Sequence, residues 1–453
     1  MSRRSRRSKQ NLPEQAIQLK IDRLSHEGRG IASISGKIAF VDGALPDETV
    51  TARYLQSRSR YDELVTETVL APSADRTTPG CAFFGRCGGC SLQHLSTSAQ
   101  IEFKQQLLLD QLHHAIGVSE TDISLLPFLQ GEPYNYRRKA RLAVRFVAKK
   151  GGALVGFREK YSRFITEMDD CRVLVEPVAS LINPLRELVS NLESRLFIPQ
   201  FEVAAGDAGQ KGHQVALVMR HMRSLSNSDL DLILKFAERH QCDFYLQPKG
   251  VDTIHKIWPE DGPQRLQYCL PDYDLVMNFH PSDFIQVNGI INRQLIPLAI
   301  ELLDLKAEDR VLDLFCGLGN FTLPIARHCD VVTGIEGSEV MVQRAMENAE
   351  LNHVGNAEFH VANLYEAISN HPWSEQDFTK ILLDPPRSGA IELIDFLVRQ
   401  GAQKIVYISC NPATLVRDAA KLIEKGYTLN RVGVIDMFPH TAHVESIAEF
   451  NLQ

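Results

Sequence analysis

Residues 311–322, Val-Leu-Asp-Leu-Phe-Cys-Gly-Leu-Gly-Asn-Phe-Thr, and residues 331–336, Val-Val-Thr-Gly-Ile-Glu, decide the fold of the C-terminal part of the chain. Short apolar runs bounded by turn residues read as buried parallel strands, and helical stretches between them imply a doubly wound α/β domain. Gly317 and Gly319 fall where the first strand turns into its helix, so a ligand can approach the backbone and the helix N-terminus closely. Glu336, twenty-three residues after Asp313, ends the second run, a position from which a carboxylate accepts both hydroxyls of a ribose. Thr322 replaces the third glycine of the dinucleotide fingerprint, which argues against a pyrophosphate and suits S-adenosylmethionine, a ribose-bearing molecule without phosphate.

Two further strands, Ile381–Leu383 and Ile405–Ile408, carry chemistry at their C-terminal ends, where open α/β sheets bind ligands. The first leads into Asp384-Pro-Pro-Arg387 and the second into Cys410-Asn-Pro412. Amino-group methylases place an aromatic after the prolines and need no thiol, whereas here Arg387 follows them and a cysteine is added. That pairing suits a carbon target. Carbon 5 of uracil becomes nucleophilic only when something adds to carbon 6, so a thiolate is required, with Cys410 the candidate. The proton on carbon 5 must then leave for the thiolate to be expelled, which needs a base. Glu445, in His443-Val-Glu445 near the last strand, is the candidate, although by spacing alone it reads equally as a surface ion-pair partner.

Upstream, the chain's 453 residues suggest about three domains at roughly 150 residues each. With 44% hydrophobic and 23% charged residues and no long apolar run, neither a membrane protein nor a disordered chain is expected. Residues 14–72 alternate as short strands through Ile17, Leu19, Ile21, Val50, Ala52 and Tyr54, with glycines between them, and read as a small OB-type barrel. Helical spacing is expected over about 95–117, and residues 73–280 form a mixed α+β region.

The net charge is −7, yet the basic residues are unevenly placed. Residues 1–13 read as a disordered basic arm with Arg3, Arg4, Arg6, Arg7 and Lys9. Between Glu132 and Arg163 lie Arg137, Arg138, Lys139, Arg141, Arg145, Lys149, Lys150, Arg158, Lys160 and Arg163, the local surplus expected of phosphate contacts. Nine cysteines without an export signal point to a reducing, cytoplasmic setting, where thiols bind metal or react. Cys81, Cys87, Cys90 and the distant Cys171 could ligate zinc or an iron–sulfur cluster, and their spacing does not choose between them. Cys242, Cys269, Cys316 and Cys329 are read as structural.

Together the motif at 313–322, Phe284-Ile-Gln286-Val-Asn288, Leu383-Asp384-Pro-Pro-Arg387, Ser409-Cys410-Asn-Pro and His443-Val-Glu445 make the chain resemble the RNA 5-methyluridine methyltransferases from about residue 14 to the end. The resemblance implies that Cys410 is the nucleophile and Glu445 the base. It implies contacts to S-adenosylmethionine from Gln286, Phe315, Asn320, Glu336, Asn363 and Asp384, and a [4Fe-4S] cluster on Cys81, Cys87, Cys90 and Cys171. Having both an N-terminal barrel, of TRAM type, and the cysteine cluster, the chain resembles the 23S ribosomal RNA branch, which implies 23S rRNA (uracil(1939)-C(5))-methyltransferase activity.

The expected architecture is an α/β multidomain chain: basic arm 1–13, TRAM/OB barrel 14–72, central mixed RNA-binding domain 73–280 with helix 96–117 against the catalytic domain, and a Rossmann-like methyltransferase domain 281–453. A monomer with 23S ribosomal RNA as its partner, no membrane and no obligate protein partner is expected. The alternatives are a dual-site or tRNA enzyme, a 5-methylcytosine methylase, which would need a second cysteine near Asp384, and a non-catalytic RNA-binding assembly factor.

Overall fold

The computed structural model describes residues 12–207, 213–366 and 371–453, so the arginines and lysine of the basic arm lie outside the described residues. The chain divides into two compact units, residues 1–103 with 440–443, and residues 104–439 with 444–453.

In the first unit a six-stranded sheet runs in the order Ile17–Lys20, Thr49–Ser57, Tyr61–Ala71, Lys37–Asp42, Gly30–Ile34, Arg23–Leu24. The two-residue alternation of the sequence becomes its core, with Leu19, Ile21, Ala32, Ala39, Val41, Val50, Ala52 and Leu64 buried together. Gly30 permits this closeness, because a Cβ there would stand 2.9 Å from Ile21. Glu48 is fully buried and ties the barrel to the linker after it, accepting from Leu45 N at 2.8 Å, Ser73 N at 3.1 Å and Arg76 Nε at 2.5 Å. Burial alone would raise its carboxyl, but the guanidinium and the two amides outweigh that and hold it below the usual carboxylate range.

The second unit holds two large sheets. The central one runs His255–Trp258, Asp243–Gln247, His213–Arg220, Gln200–Asp207, Lys139–Val147, Gly152–Gly156. Along Lys139–Val147 the residues Ala140, Leu142 and Val144 are buried while Arg141 and Arg145 are exposed, so strand alternation turns these two members of the basic strip outward. Arg145, Lys149, Lys150, Arg158 and Arg163 are exposed as a phosphate-binding strip requires. Arg138 departs from that expectation: it is buried and faces the ring of Tyr268 at 5.7 Å.

The other sheet runs Ala357–Val361, Val331–Glu336, Arg310–Leu314, Lys380–Leu383, Lys404–Ser409, Glu445–Leu452, Tyr427–Ile435, Ser124–Leu125. Its first five strands are parallel, and Glu445–Leu452 runs antiparallel to both neighbours. Chain order reverses between Arg310–Leu314 and Lys380–Leu383, which opens a crevice at their C-terminal ends. A hairpin, Leu266–Leu270 with Leu275–Phe279, packs into one apolar core with Ala204, Val218 and Tyr245 of the central sheet and with Leu295, Val311 and Ile447. That continuity fixes the central sheet against the crevice.

Candidate active site

The loop leaving Arg310–Leu314 is built to hold a ligand against its backbone. Phe315, Gly317 and Gly319 all have positive φ, at 67°, 57° and 91°. Amides of Phe315 and Cys316 donate to Ile335 O at 2.9 and 3.1 Å, pinning the loop to the neighbouring strand. Glu336 ends that strand, and its two carboxylate oxygens accept from Gly317 N at 3.2 Å and Ser338 N at 3.0 Å. These contacts fix the carboxylate while leaving lone pairs for hydroxyl donors. Asp313 below the loop is buried, with Oδ2 accepting from Thr322 Oγ1 at 2.5 Å and Oδ1 unpaired. Burial, with smaller contributions from Asp384 and Glu336, pushes its carboxyl up to about 7 against the Thr322 hydrogen bond. Thr322, which breaks the glycine fingerprint in the sequence, is therefore a partner of Asp313.

Asn320 is locked by a reciprocal amide pair with Asn292, at 2.9 and 3.0 Å, and by the Tyr268 hydroxyl at 2.9 Å. Gln286 is half-buried on the segment that leads into helix Gly289–Leu303. Arg138 N donates to Val287 O at 2.9 Å, and the Arg138 guanidinium occupies the place of a side chain at Gly289, where a Cβ would fall 1.1 Å from Nη2. Asn363 is exposed two residues beyond Val361, the register partner of Glu336, with its Oδ1 accepting from Tyr365 N at 3.1 Å. Tyr365 faces Phe315 with ring centroids 5.9 Å apart and bonds Ser388 Oγ at 2.9 Å.

On the other side of the crevice the register aligns the proposed reacting groups. Ser409 pairs with Ser446, so Cys410, the next residue after the strand, and Glu445, the first residue of its neighbour, lie at the same sheet end. Asn411 caps helix Pro412–Glu424 and donates from Nδ2 to Arg387 O at 3.1 Å, joining the Cys410 turn to the Asp384–Arg387 turn. Asp384 is half-buried, and burial pushes it up to about 7. Burial raises the Cys410 thiol, as do Glu445 and Asp384, while Arg387 pulls it down. Glu445 is buried, and burial with Asp384 pushes it up to about 8 against Lys104 and Arg387.

Lys104, Arg387, Asn292, Tyr268 and Arg138 were assigned no part in the site by the sequence reading. Lys104 carried a signal: it lies three residues after Ile101 and four before Leu108, on the apolar face of helix Thr97–Ile116. Its Nζ is fully buried, 2.6 Å from Asp436 Oδ1.

Of the cluster cysteines, Cys87 and Cys171 are buried and Cys81 and Cys90 half-buried. Gly89 N donates to Cys87 Sγ at 3.4 Å. Among the described residues no group of three or more His, Cys, Asp or Glu side chains is gathered to hold a single metal ion. Cys316 is buried with its thiol pushed well above the usual range by burial, in keeping with a packing role.

The family described as tRNA (Uracil-5-)-methyltransferase matches residues 266–450, and the TRAM domain matches residues 13–61. A Hahella chejuensis protein named 23S rRNA (uracil(1939)-C(5))-methyltransferase RlmD is 51% identical over 449 residues, covering 98% of this chain and 99% of the relative. A protein of the same name from Alcanivorax borkumensis is 48% identical over 446 residues, covering 98% of each. A solved structure, the Pyrococcus abyssi tRNA (uracil-54, C5)-methyltransferase in complex with S-adenosyl-L-homocysteine, shares the fold with a TM-score of 0.72 and 24% identity, over 96% of this chain and 100% of that one. The chain belongs to the RNA uracil-C5 methyltransferase family, in the TRAM-bearing branch represented by the proteins named RlmD.

Proposed function

We propose that this chain acts in the cytoplasm as a 23S rRNA (uracil(1939)-C(5))-methyltransferase that uses S-adenosylmethionine, with Cys410 as nucleophile and Glu445 as base. The observation that carries the reading is proximity: Cys410 follows and Glu445 precedes the paired Ser409 and Ser446, and Glu445 acts on the Cys410 thiol. Gln286, Phe315, Asn320, Glu336, Asn363 and Asp384 would hold S-adenosylmethionine, and the free lone pairs of Glu336 and the half-buried carboxyl of Asp384 fit its hydroxyl and amine donors. Bound there, it supplies a methyl group made electrophilic by the sulfonium.

The target uridine leaves its stack, at a cost of a few kcal/mol that phosphate contacts to the basic strip and the barrel offset. Cys410, as thiolate, forms a bond to carbon 6, and the displaced electron pair makes carbon 5 nucleophilic. Once carbon 5 carries the methyl group, Glu445 takes its proton. The released pair restores the ring double bond and expels the Cys410 thiolate. Arg387 favours the thiolate, and burial of Glu445 raises its proton affinity toward that of a useful base at neutral pH.

The cysteines Cys81, Cys87, Cys90 and Cys171 would hold a [4Fe-4S] cluster. Four thiols, with one sulfur already accepting an amide, suit iron–sulfur ligation, and four protein ligands would leave no open iron for radical chemistry.

Mapping 5-methyluridine in 23S ribosomal RNA from cells with and without the gene tests the substrate. Loss at uracil 1939 alone supports the reading, loss at a second site indicates a dual-site enzyme, and no change overturns it. Titration with S-adenosylmethionine separates the assembly-factor reading, since a pure scaffold need not bind it.

A further inference from the structure

The groups around Glu445 come from four elements. Asp384 and Arg387 stand on the turn after Lys380–Leu383, Cys410 on the turn after Lys404–Ser409, and Asp436 follows Ile435, the register partner of Glu445. The fourth is helix Thr97–Ile116, which contributes Lys104. Of the three neighbours other than Lys104 and Asp436, Asp384 is an acid and Cys410 becomes anionic, so the field around Glu445 resists its ionisation unless cations offset it.

Lys104 does not reach solvent. Its Nζ, with none of its side chain exposed, lies 2.6 Å from Asp436 Oδ1 and donates to Phe438 O at 3.2 Å. A buried ion pair is seldom retained for stability, because apolar residues of the same volume usually serve as well. The reaction needs no cation at carbon 5, and nothing above assigns the pair a role.

Resting on the reading of Glu445 as base, we propose that Lys104 is a positioning residue whose buried charge favours the ionised form of Glu445, and that Asp436 anchors Lys104. Helix Thr97–Ile116 thereby becomes part of the elimination machinery although it lies outside the methyltransferase sheet. Asp436 gives Lys104 its fixed place and its charge: burial pulls the ammonium below the ordinary lysine range, and Asp436 opposes that pull.

The test compares the wild-type chain with Lys104→Met and with the double variant Lys104→Met/Asp436→Asn, which removes both charges and so leaves no unpaired buried ion. Each is assayed on RNA carrying uridine and on RNA carrying 5-fluorouridine, whose carbon 5 has no proton to remove, so the methylated adduct is trapped whatever the base does. The expected result is that fluorouridine adduct forms within about twofold of the wild-type rate. Turnover on uridine should fall at least tenfold near pH 7, methylated protein–RNA adduct should accumulate, and the acid limb of the pH–rate profile should move upward by about one unit. Lys104→Arg, which restores the charge, should recover part of the turnover. If the double variant binds S-adenosylmethionine normally yet keeps wild-type turnover and an unmoved acid limb, Lys104 is structural and the proposal fails. If the wild-type chain itself forms no fluorouridine adduct, the assignment of Cys410 fails instead.

Discussion

Cys410 directly follows Ser409 and Glu445 directly precedes Ser446, the two residues that pair at the ends of adjacent antiparallel strands. Burial raises the Cys410 thiol, and Glu445 is near enough to raise it further, as does Asp384. The sheet brings the two chain positions together, and the turn that carries Cys410 is joined to the Asp384–Arg387 turn by Asn411 Nδ2 donating to Arg387 O.

Replacing Cys410 by Ala should abolish methylation while leaving S-adenosylmethionine binding intact, because the side chain sits across the crevice from Glu336 and the glycine loop. Calorimetric titration together with a turnover assay checks both halves. Retained turnover would remove Cys410 from the mechanism.

Glu445→Gln keeps the volume and removes the basicity. Addition and methyl transfer should proceed and elimination should stall, leaving a covalent protein–RNA species on a denaturing gel. Absence of any such species would place the base elsewhere.

Arg387 is the cation that lowers the Cys410 thiol against burial, Glu445 and Asp384. Arg387→Gln should therefore slow adduct formation at neutral pH, by about tenfold if the thiol rises by one unit, and the loss should shrink as pH increases. Single-turnover adduct formation between pH 6.5 and 9 would show it, and a pH-independent loss would mean that Arg387 acts by another route.

Asp313 is held at about 7 in the folded chain, above the ordinary carboxylate value. Between those two values the folded state keeps a proton that the unfolded state has lost, so Asp313 should lower stability as pH rises from about 4 to 7. Three units correspond to an upper bound of about 4 kcal/mol. Asp313→Asn should flatten that part of the stability–pH curve for the ligand-free chain. Denaturant unfolding at pH 5 and 8 checks this, and an equally steep curve in the variant would assign the slope to other groups.

Cys87→Ser should cost the chain its iron and its broad visible absorbance if the four cysteines hold an iron–sulfur cluster. Iron analysis on anaerobically purified protein gives the answer. An iron-free wild-type chain of full activity would overturn the cluster.

The readable part of the site is the part written in contiguous residues. Asp313, Gly317, Gly319 and Glu336 could be placed because strand, turn and second strand follow one another with fixed spacing, and Asp384 and Cys410 because each directly follows an apolar run. The hairpin Leu266–Phe279 was passed over within the mixed region, although its inward residues Leu266, Tyr268 and Leu270 alternate as a strand should. Arg138 was counted with the surface strip. Charge counting along a sequence cannot tell that its guanidinium fills the space left by Gly289, since strand alternation reveals a face only once the core is known.

By itself, then, the sequence determined the barrel, the doubly wound sheet and the glycine loop between its first strand and helix, because backbone sterics and hydrophobic periodicity act over a few residues. Only the tertiary structure decided which charges meet. Lys104 and Asp436 stand 332 positions apart in the chain and 2.6 Å apart in space. Proton affinities such as that of Glu445 follow from burial and from such neighbours, since an electrostatic field depends on distance through space and on the loss of water, and neither is ordered along the chain.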